Sequence, residues 1–538
     1  MTVALAVAPH RGRATAGPLL VGGIVLAALT EAIASTVLAL GRADMIGDTY
    51  ATPDEFAWLD VGYTGFKLIG FMAAAGLMGR FSPRGLILGA TVIMGAACAI
   101  ATVTTRLDLL IALRLVQGFS GGVLLVTGQA AIFLAYPASR QPFLQCLFAI
   151  GSVVAPATIA PALEGWLLDN HSWTWIFFCV VPVALAAAGL LIAADPIPAR
   201  SAHRPFDWIG FTLLAVTLFC LAYVFSQGSR WDWFEAPHVL WLAVIAAAAL
   251  LAFLARQVLA GGRGLIDVTL FASADFFFAF IVSFVAGAAL FGSAFLIPSF
   301  AVSVLALTPT EAGQLLLPSS ALFVTALLMT AFLVRVCGFQ PFATVPFGIL
   351  MIMAAMWMLS GSSGESGPQD MMTAILLRGT GLGFLFLSIT LIAFGRLDER
   401  NLAAGIGLFN TGRQLGGLMG VSGLQTLIDH AMVANTAVLG AGITAGTPAV
   451  VERLAATTAM FMAKGLDAAA ASRAATSLLG RTVTGQSTVI AFDTAFAAVA
   501  LLFLVAAPIL VAIKIGLAKR ARRGAAKGGS RWRGQIRT

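Results

Sequence analysis

The stretch LLIALRLVQGFSGGVLL, residues 109–125, decides the class of this protein. It is apolar enough to cross a bilayer as a helix, yet Arg114 lies in its middle and is followed by Gln117 and several glycines. An ionised side chain at bilayer depth is costly, so such residues mark functional sites by default. The stretch therefore predicts a membrane-spanning helix that carries part of a buried polar site.

The composition agrees with a protein that spans the membrane many times. The chain has 538 residues, of which 59% are hydrophobic and 10% are charged, whereas soluble domains carry about 25% charged residues. The net charge of +8 does not by itself indicate nucleic acid, and we expect no nucleic-acid partner. The five cysteines lie in apolar runs without a CxxC pair, which predicts packing residues and no metal site.

Fourteen apolar segments have the length of about 20 residues that a helical span needs. Of the 32 lysines and arginines, 21 fall in the N-terminus, in or next to loops after even-numbered spans and in the tail from Lys514, whereas seven fall in loops after odd-numbered spans. This asymmetry predicts that both termini are cytoplasmic. The predicted spans are 18–40, 56–79, 86–105, 107–134, 143–168, 173–195, 208–227, 237–259, 275–303, 311–334, 341–360, 371–395, 403–428 and 489–515.

The chain contains an internal repeat. GLMGRFSPRG (76–85) and AFLVRVCGFQ (331–340) end spans 2 and 10, while Arg114 and Arg378 lie early in spans 4 and 12. Such repeats are typical of secondary transporters, so we predict an all-α polytopic fold of two six-helix bundles with two extra central helices. The predicted parts are a cytoplasmic N-terminus (1–17), an N-terminal bundle (18–195), a central insertion (208–259), a C-terminal bundle (275–515) with an outer loop at 429–488, and a basic cytoplasmic tail (516–538).

Three ionisable residues are predicted at a similar depth. At 1.5 Å per residue, Glu31, Arg114 and Lys67 lie roughly 13, 10 and 16 Å below the outer surface. Arg114 can hold Glu31 ionised until a proton or ligand relieves the pair, or the two can form a permanent structural lock. Lys67 is either a ligand contact or the counter-ion of Asp60 or Glu31.

Other residues are weaker candidates. Asp60 lies near the outer end of its span and is the second candidate for proton coupling, with a wet surface position as the alternative. Arg413 is in mid-span 13 without an obvious acidic partner, and Phe277 belongs to an aromatic run that either lines a pocket or faces lipid. Together with Lys67 and Gln117, these two are candidate substrate contacts.

Glycine and proline spacing predicts close packing and bending. Gly118 and Gly122 lie on one helix face and allow a neighbouring helix to approach closely, as do Gly412, Gly416 and Gly420 in span 13. Pro156 in span 5 removes a backbone hydrogen bond and permits a bend. Both features suit bundles that move against each other, and they also suit any tightly packed membrane protein.

The sequence does not predict an enzyme. GFSGG (118–122) matches G-x-S-x-G, but that motif requires a strand-to-helix turn and here lies inside an apolar helix. The sequence has no Walker A motif, so a cofactor-free transporter driven by a proton gradient is expected.

These stretches resemble the major facilitator superfamily, in particular its fourteen-span drug/proton antiporters of the EmrB/QacA type. LRLVQGFSGG resembles the span-4 motif, which implies proton coupling for Arg114. GLMGRFSPRG resembles the loop motif after span 2, which implies a gating role for Gly76, Arg80 and Arg84. GSVVAPATIA resembles the span-5 antiporter motif, with Gly151 and Pro156 kept, and implies a conformational role for these two. The spacing of Gly118 makes it a further candidate for such a role.

Two departures from the family pattern bear on the substrate. The acid expected in span 1 falls at Thr30, with Glu31 one position later, which is about 100° further around the helix. Lys67 is unusual for the family and favours neutral or anionic compounds over lipophilic cations.

The resemblance implies a proton-driven exporter of amphiphilic toxic compounds in the bacterial inner membrane. The alternatives are a proton-coupled exporter of one metabolite or lipid-like anion, and a membrane scaffold or sensor that does not transport. Loop 429–488 resembles that of EmrB-like pumps, which implies a periplasmic adaptor (EmrA-like) and an outer-membrane channel as partners; a cap on the protein's own surface is the alternative.

Overall fold

The computed structural model describes residues 17–38, 41–197, 206–259, 265, 270–271, 273–395, 397–444 and 446–535. All regular structure within these ranges is helical, which confirms the predicted all-α polytopic fold. The predicted N-terminal segment 1–17 and the side chains of the tail 516–538 lie almost entirely outside the described residues.

Four helices of the first bundle and the central hairpin begin at a proline. Their bounds are α1 (Pro18–Thr36), α2 (Arg42–Thr49), α3 (Pro53–Met78), α4 (Pro83–Thr102), α5 (Leu107–Ala135), α6 (Gln141–Ala149), a π-helical segment (Ile150–Ile159), α7 (Ala160–Asn170), α8 (Thr174–Ala193), α9 (Trp208–Gln227) and α10 (Pro237–Leu259).

The second bundle follows the same pattern and ends in a long helix. Its bounds are α11 (Ala274–Ser303), α12 (Pro309–Gln314), α13 (Leu317–Arg335), α14 (Val345–Leu359), α15 (Pro368–Phe394), α16 (Leu402–Ala441), α17 (Pro448–Ala463) and α18 (Ala468–Gln535).

Local sequence explains where key helices start. Thr52 precedes Pro53, accepts a hydrogen bond from the backbone of Glu55 and receives the Glu55 side chain in return. The same arrangement recurs at α12, where Thr308 and Glu311 cap each other. A capping threonine, a proline in the first turn and a glutamate at the third position together satisfy the free N–H groups of a helix start.

The predicted spans correspond closely to the helices. Twelve described helices are long and apolar enough to cross a membrane, and the bent pair Ala138–Ala157 and Ala160–Asn170 adds a thirteenth. The predicted span 403–428 lies within α16, which glycines and polar side chains make less apolar than the others. The long outer loop predicted at 429–488 is largely helical, since α16 continues to Ala441, α17 follows and α18 begins at Ala468.

The small residues of α5 and α16 allow the close approach that their spacing predicts. A Cβ atom at Gly118 or Gly122 would overlap the backbone of α3, at Tyr63 and Lys67 respectively. In the second bundle, Gly416 and Gly420 meet the backbone of α11 in the same way. Each bundle therefore contains helices in near backbone contact.

The bend predicted in span 5 is a change of helix type. The ten residues Ile150–Ile159 around Pro156 form a π-helical segment, and the helix turns by 45° before α7. Gly151 lies at the start of this segment, where a Cβ would be 2.8 Å from the carbonyl oxygen of Val25 on α1. The antiporter-like motif thus places its glycine at a close contact and its proline within the distorted turn.

The two bundles and the central hairpin contact one another along their lengths. A Cβ at Gly407 on α16 would be 2.5 Å from the carbonyl oxygen of Phe71 on α3. The hairpin loop joins both bundles, because Arg230 pairs with Asp54 at 2.7 Å and Trp233 donates to the Thr426 hydroxyl at 2.9 Å. The predicted extra helices are therefore packed against both bundles.

Candidate functional site

Glu31 of α1 is the centre of a buried polar cluster. Its Oε1 atom lies 2.5 Å from Nζ of Lys67 and accepts a hydrogen bond of 3.0 Å from the Tyr63 hydroxyl. Tyr63 and Lys67 are four residues apart on α3, so both project from one helix face toward α1. The exposed fractions of Glu31 and Lys67 are 1% and 7%. We refer to Glu31, Tyr63, Lys67 and Arg114 as the Glu31 cluster.

Arg114 joins this cluster through Tyr63. Its guanidinium carbon lies 4.0 Å from the centre of the Tyr63 ring, and Nη1 donates to the carbonyl oxygen of Ala34 at 2.7 Å. The expected direct pair between Arg114 and Glu31 is therefore wrong for this conformation, because the tyrosine ring lies between them. Of the partners considered for Lys67, the structure shows Glu31.

The glycines after Arg114 make room for the cluster. A Cβ at Gly121 would be 2.8 Å from Cγ of Glu31, and Gly118 and Gly122 bring the backbone of α3 against α5. The sequence order of arginine, glutamine and glycines in α5 thus provides a charge, a hydrogen-bonding amide and space for the facing helices.

Two buried donors of α5 have no protein partner among the described residues. These are Nη2 of Arg114 and Nε2 of Gln117, although Oε1 of Gln117 accepts from Arg114 at 3.3 Å. Buried donors in native proteins are almost always satisfied by protein or by ordered water. Gln117 is fully buried beside the Glu31 cluster. Its amide nitrogen is therefore a position where water or a ligand can accept a hydrogen bond.

The other acids of the first bundle differ in environment. Asp60 lies on α3 with part of its surface not covered by the chain, and its carboxyl is within electrostatic range of Arg114. Glu164 on α7 is fully buried, its Oε1 accepts a hydrogen bond from Thr36, and Oε2 has no partner among the described residues. For Asp60 the sequence left open a role in proton coupling or a wet surface position, and both stay predictions.

Arg413 lines an apolar pocket in the second bundle. The pocket is small and is lined by Ser283, Leu290, Phe323, Phe386, Phe409 and Arg413 with four further apolar residues. Nη2 of Arg413 donates to Oδ1 of Asn410 at 2.7 Å. Phe277 does not line this pocket, because it lies about two helical turns before Ser283 on α11.

Arg378 is the residue of the second bundle that corresponds to Arg114 in the repeat. It is fully buried, and its Nε donates to the Ser293 hydroxyl at 2.7 Å. No acid pairs with Arg378 among the residues that the structure describes. The repeat therefore keeps the arginine in both bundles but places an acidic residue near it only in the first.

The residues of the loop motif after span 2 contact the end of α8 and Phe206, which precedes α9. Arg84 donates to the carbonyl oxygens of Leu191 and Ile192, both at 2.7 Å, near the end of α8. The guanidinium of Arg80 lies 5.7 Å from the ring centre of Phe206, and the same ring packs against Gly76. These contacts tie the motif to the segment that leads into the central hairpin.

Two functional candidates were not predicted from the sequence. Tyr63 is one of only four tyrosines in the chain, and its position one turn before Lys67 was the available signal. Gln129 and Asn410 form a hydrogen bond of 3.4 Å between α5 and α16. That link joins the two bundles, and its residues lie too far apart in sequence for a pattern to connect them.

Comparison with known families gives an independent result. A model of the Major Facilitator Superfamily matches residues 20–421 of the chain. The structure of a bacterial homolog of the human lysosomal transporter Spinster, inward-facing and unoccupied, is similar with a TM-score of 0.55 at 13% identity. That match covers 93% of this chain and 98% of the other, and it concerns the fold alone.

Named relatives match at low identity. Multidrug export protein EmrB of Haemophilus influenzae is 28% identical over 48% of this chain, and the match spans about half, 50%, of that relative. Colistin resistance protein EmrB of Acinetobacter baumannii is 23% identical over 83% of this chain and 86% of its own length.

Proposed function

The chain belongs to the Major Facilitator Superfamily, and we propose that it is a proton-driven exporter of amphiphilic compounds. It works by alternating access between its two bundles. The observation that carries the proposal is the buried ion pair between Glu31 and Lys67. A membrane protein that only holds others in place gains nothing from such a pair, since its desolvation is costly.

Glu31 is the proposed proton carrier. A proton on Glu31 removes the charge that Lys67 faces at 2.5 Å and weakens the hydrogen bond from Tyr63. Because an unpaired buried charge is strongly unfavourable, the protonated cluster favours a different arrangement of α1 and α3. Arg114 acts as a fixed positive charge behind Tyr63 and stabilises the ionised form.

The position of α3 connects this change to the interface between the bundles. Phe71 lies one turn after Lys67 and its carbonyl faces Gly407 of α16 at van der Waals distance. A shift of α3 therefore acts directly on the second bundle. This contact supports a cycle in which protonation and the movement of the bundles depend on each other.

Contacts between the bundles occur toward both ends of the molecule. Phe133 and Phe394 lie 5.8 Å apart at the C-terminal ends of α5 and α15. At the opposite end, Thr310 donates to Asp169, and Gly313 packs against the backbone of Pro161. Alternating access requires each of these two contacts to open in turn.

The substrate class is proposed from two sources. The relatives carry names that refer to multidrug export and to colistin resistance, which supports export of more than one amphiphilic compound. The pocket beside Arg413 is apolar with one cationic residue, which suits a molecule with a hydrophobic part.

We also place the protein in the inner membrane of a bacterium with both termini in the cytoplasm. In that orientation three helical segments project outward, namely the end of α16, all of α17 and the start of α18. The residues of α17 are not buried in the chain's own core. This exposed helix is the proposed contact for a periplasmic adaptor, through which an outer-membrane channel would complete the export path.

The test is substrate-triggered proton flux in proteoliposomes that carry a pH gradient and an internal pH dye. We expect flux in the wild type with at least one compound from a panel of cationic, neutral and anionic amphiphiles. Glu31→Gln should abolish it, whereas Glu365→Gln, in an exposed loop, should not. Flux that persists in Glu31→Gln would assign the proton to another residue, Asp60 first, and no flux in the wild type would favour a scaffold.

A further inference from the structure

Glu164 is, besides Glu31, the acid that the described part of the chain buries completely. It lies on α7, six residues before the end of the helix at Asn170, and therefore roughly 9 Å from that outer end. Its Oε1 atom accepts a hydrogen bond from the Thr36 hydroxyl on α1. Its Oε2 atom has no partner among the described residues. The carboxyl thus has one hydrogen bond and one free oxygen in a site without solvent.

No cation forms an ion pair with Glu164 within the described residues. The titratable groups on α7 and on the elements packed against it, which are α1, the π-helical segment, α8 and α12, are Glu31, Asp169, Cys179 and Glu311. Of these, Glu31 pairs with Lys67, and Glu311 caps its own helix. Arg114 of α5 lies within electrostatic range of Glu164 but directs its Nη1 atom to α1.

This environment determines which form of the carboxyl is stable. A buried carboxylate with a single hydroxyl donor is strongly unfavourable unless a proton, water or a cation compensates its charge. In the conformation in which α7 contacts α12, Glu164 therefore holds a proton. Glu31 is instead paired with Lys67 as an ionised acid. The first bundle thus contains a proton donor near its outer end and a proton acceptor deeper inside.

Buried polar atoms indicate a path between the two acids. Nη2 of Arg114 and Nε2 of Gln117 have no partner within the described part of the chain, as is true of Oε2 of Glu164. Arg114 donates to Ala34 and Glu164 accepts from Thr36, so both approach the same segment of α1. Internal water satisfies buried groups of this kind. Water bound to them links Glu164 with the cluster to which Arg114 belongs.

We propose that Glu164 is the entry acid of the transport cycle, which receives a proton from the outer side and passes it through internal water to Glu31. The carboxyl of Glu164 loses the proton that the carboxylate of Glu31 gains, and water from the outer side restores it when α7 and α12 separate. The inference rests on the proposed function, because it concerns the proton of the same cycle. A purely structural Glu164 would only tie α7 to Thr36.

The first experiment measures hydrogen–deuterium exchange of the Glu164 carboxyl by infrared spectroscopy. The full-length chain in nanodiscs is transferred from H₂O to D₂O, and the carbonyl band that Glu164→Gln removes is followed in the wild type. We expect this band to shift well before the amide protons of the helix core exchange. Gly313→Val, which forces α12 away from α7, should speed the shift about fivefold. Gly440→Val, at an open site, should not.

The second experiment separates proton transfer from a structural tie. It measures proton flux in proteoliposomes with the panel compound that is most active with the wild type. Glu164→Gln keeps an oxygen that accepts from Thr36 but carries no proton, so flux should fall about a hundredfold. Thr36→Val removes the hydrogen bond and keeps the acid, and Glu164→Asp keeps a shorter acid, so both should retain more flux. Glu365→Gln, in an exposed loop, should match the wild type.

The thermal unfolding midpoint of each variant establishes that the protein is folded. Unchanged flux in Glu164→Gln would overturn the proposal, as would a loss of flux that is equal in Thr36→Val and Glu164→Gln. A carboxyl band that is absent from the wild type, or that exchanges no faster than the core amides, would also overturn it. The exchange measurement needs neither substrate nor gradient, so it is independent of the proposed export: Glu31→Gln should stop proton flux and leave exchange at Glu164 unchanged.

Discussion

Nζ of Lys67 and Oε1 of Glu31 lie 2.5 Å apart with both side chains almost fully withdrawn from solvent. The pair joins α1 to α3 inside one bundle, and Glu31 is one of the two counter-ions that the sequence suggested for Lys67. Tyr63 donates to the same carboxylate oxygen, so α3 approaches Glu31 with two side chains from successive turns.

Removing one partner of this pair should destabilise the fold far more than removing both. Lys67→Met leaves a buried carboxylate, and loss of one partner of a buried pair costs about 3–5 kcal/mol. Glu31→Gln likewise leaves a buried ammonium group, whereas the double variant leaves neither charge. We expect the thermal unfolding midpoint of the purified protein to fall in each single variant and to recover largely in the double variant.

An exposed ion pair provides the comparison. Asp54 pairs with Arg230 at 2.7 Å, but their side chains are 57% and 38% exposed. Exposed pairs contribute about 0–1 kcal/mol, so Asp54→Asn should barely move the midpoint. Single-variant losses that simply add in the double variant would mean that Glu31 and Lys67 do not stabilise each other.

The contact between α3 and α5 should not tolerate a side chain at Gly118. A Cβ there would overlap the carbonyl group of Tyr63, so Gly118→Ala must move one helix and shift the Glu31 cluster. Overpacking of this kind costs about 1–3 kcal/mol. Gly189→Ala on α8, where no atom lies within 4 Å of the added methyl group, should be as stable as the wild type in the same thermal measurement.

A loss in both glycine variants would point to the general flexibility of glycine as the cause. A loss confined to Gly118→Ala, accompanied by reduced proton flux, is the result that backbone contact predicts. No loss in either variant would show that α3 and α5 can separate without penalty.

Much of this architecture follows from sequence because it depends on periodicity and composition. Apolar length locates the spans, and small residues every fourth position on α5 and α16 identify the faces that meet α3 and α11. The approximate depth of Glu31, Lys67 and Arg114 also follows, since the rise per residue of a helix is fixed. Their convergence in one cluster was predictable for that reason.

The details of the cluster depend on how helices rotate about their axes, which one sequence does not specify. The rotation of α3 and α5 about their axes places the Tyr63 ring between Arg114 and Glu31. The same rotation brings Lys67 into contact with Glu31. The burial of Glu164 has a similar origin, because the π-helical segment before α7 changes the face that α7 turns inward. Phe277 lies too near the start of α11 to reach the pocket.

The link between the two central helices should depend on pH in the acid range. Asp207 caps α9, and hydrogen bonds from Arg256 on α10 are the main cause that lowers the pKa of this carboxyl below 3.8. A group whose folded pKa is depressed contributes stability above its unfolded pKa and loses it as the pH falls through the folded value. Asp207→Asn should therefore lower the unfolding midpoint at neutral pH.

The difference between wild type and Asp207→Asn should shrink as the pH falls through the folded pKa of Asp207, which lies below 3.8, because the wild-type carboxyl then becomes neutral too. Asp429→Asn serves as the control, because Asp429 accepts a hydrogen bond from Gln425 on its own helix, α16. A difference that stays constant across the acid range would show that the capping geometry, and not the charge of Asp207, holds the hairpin.

The contact between α7 and α12 should hold the outer side closed in this conformation. Gly313 of α12 packs against the first bundle, where an added Cβ would lie 2.9 Å from the carbonyl oxygen of Pro161. Gly313→Val should therefore force the two helices apart and favour the state that is open to the outside. The readout is labelling of Ala162→Cys, a position 8% exposed beneath Gly313, by a membrane-impermeant thiol reagent in intact cells.

This experiment uses a chain whose five native cysteines are replaced by alanine. A steric penalty of about 1 kcal/mol or more shifts a two-state equilibrium about fivefold, so labelling should be at least about fivefold faster with Gly313→Val. Gly440→Val, at an exposed site with no atom within 4 Å of the added Cβ, should leave the rate unchanged. An unchanged rate with Gly313→Val would mean that the outer side is closed elsewhere. Faster labelling together with lost export would show that this contact opens and closes during the cycle. Export would be lost because the two bundles could no longer close there before the next substrate is transported.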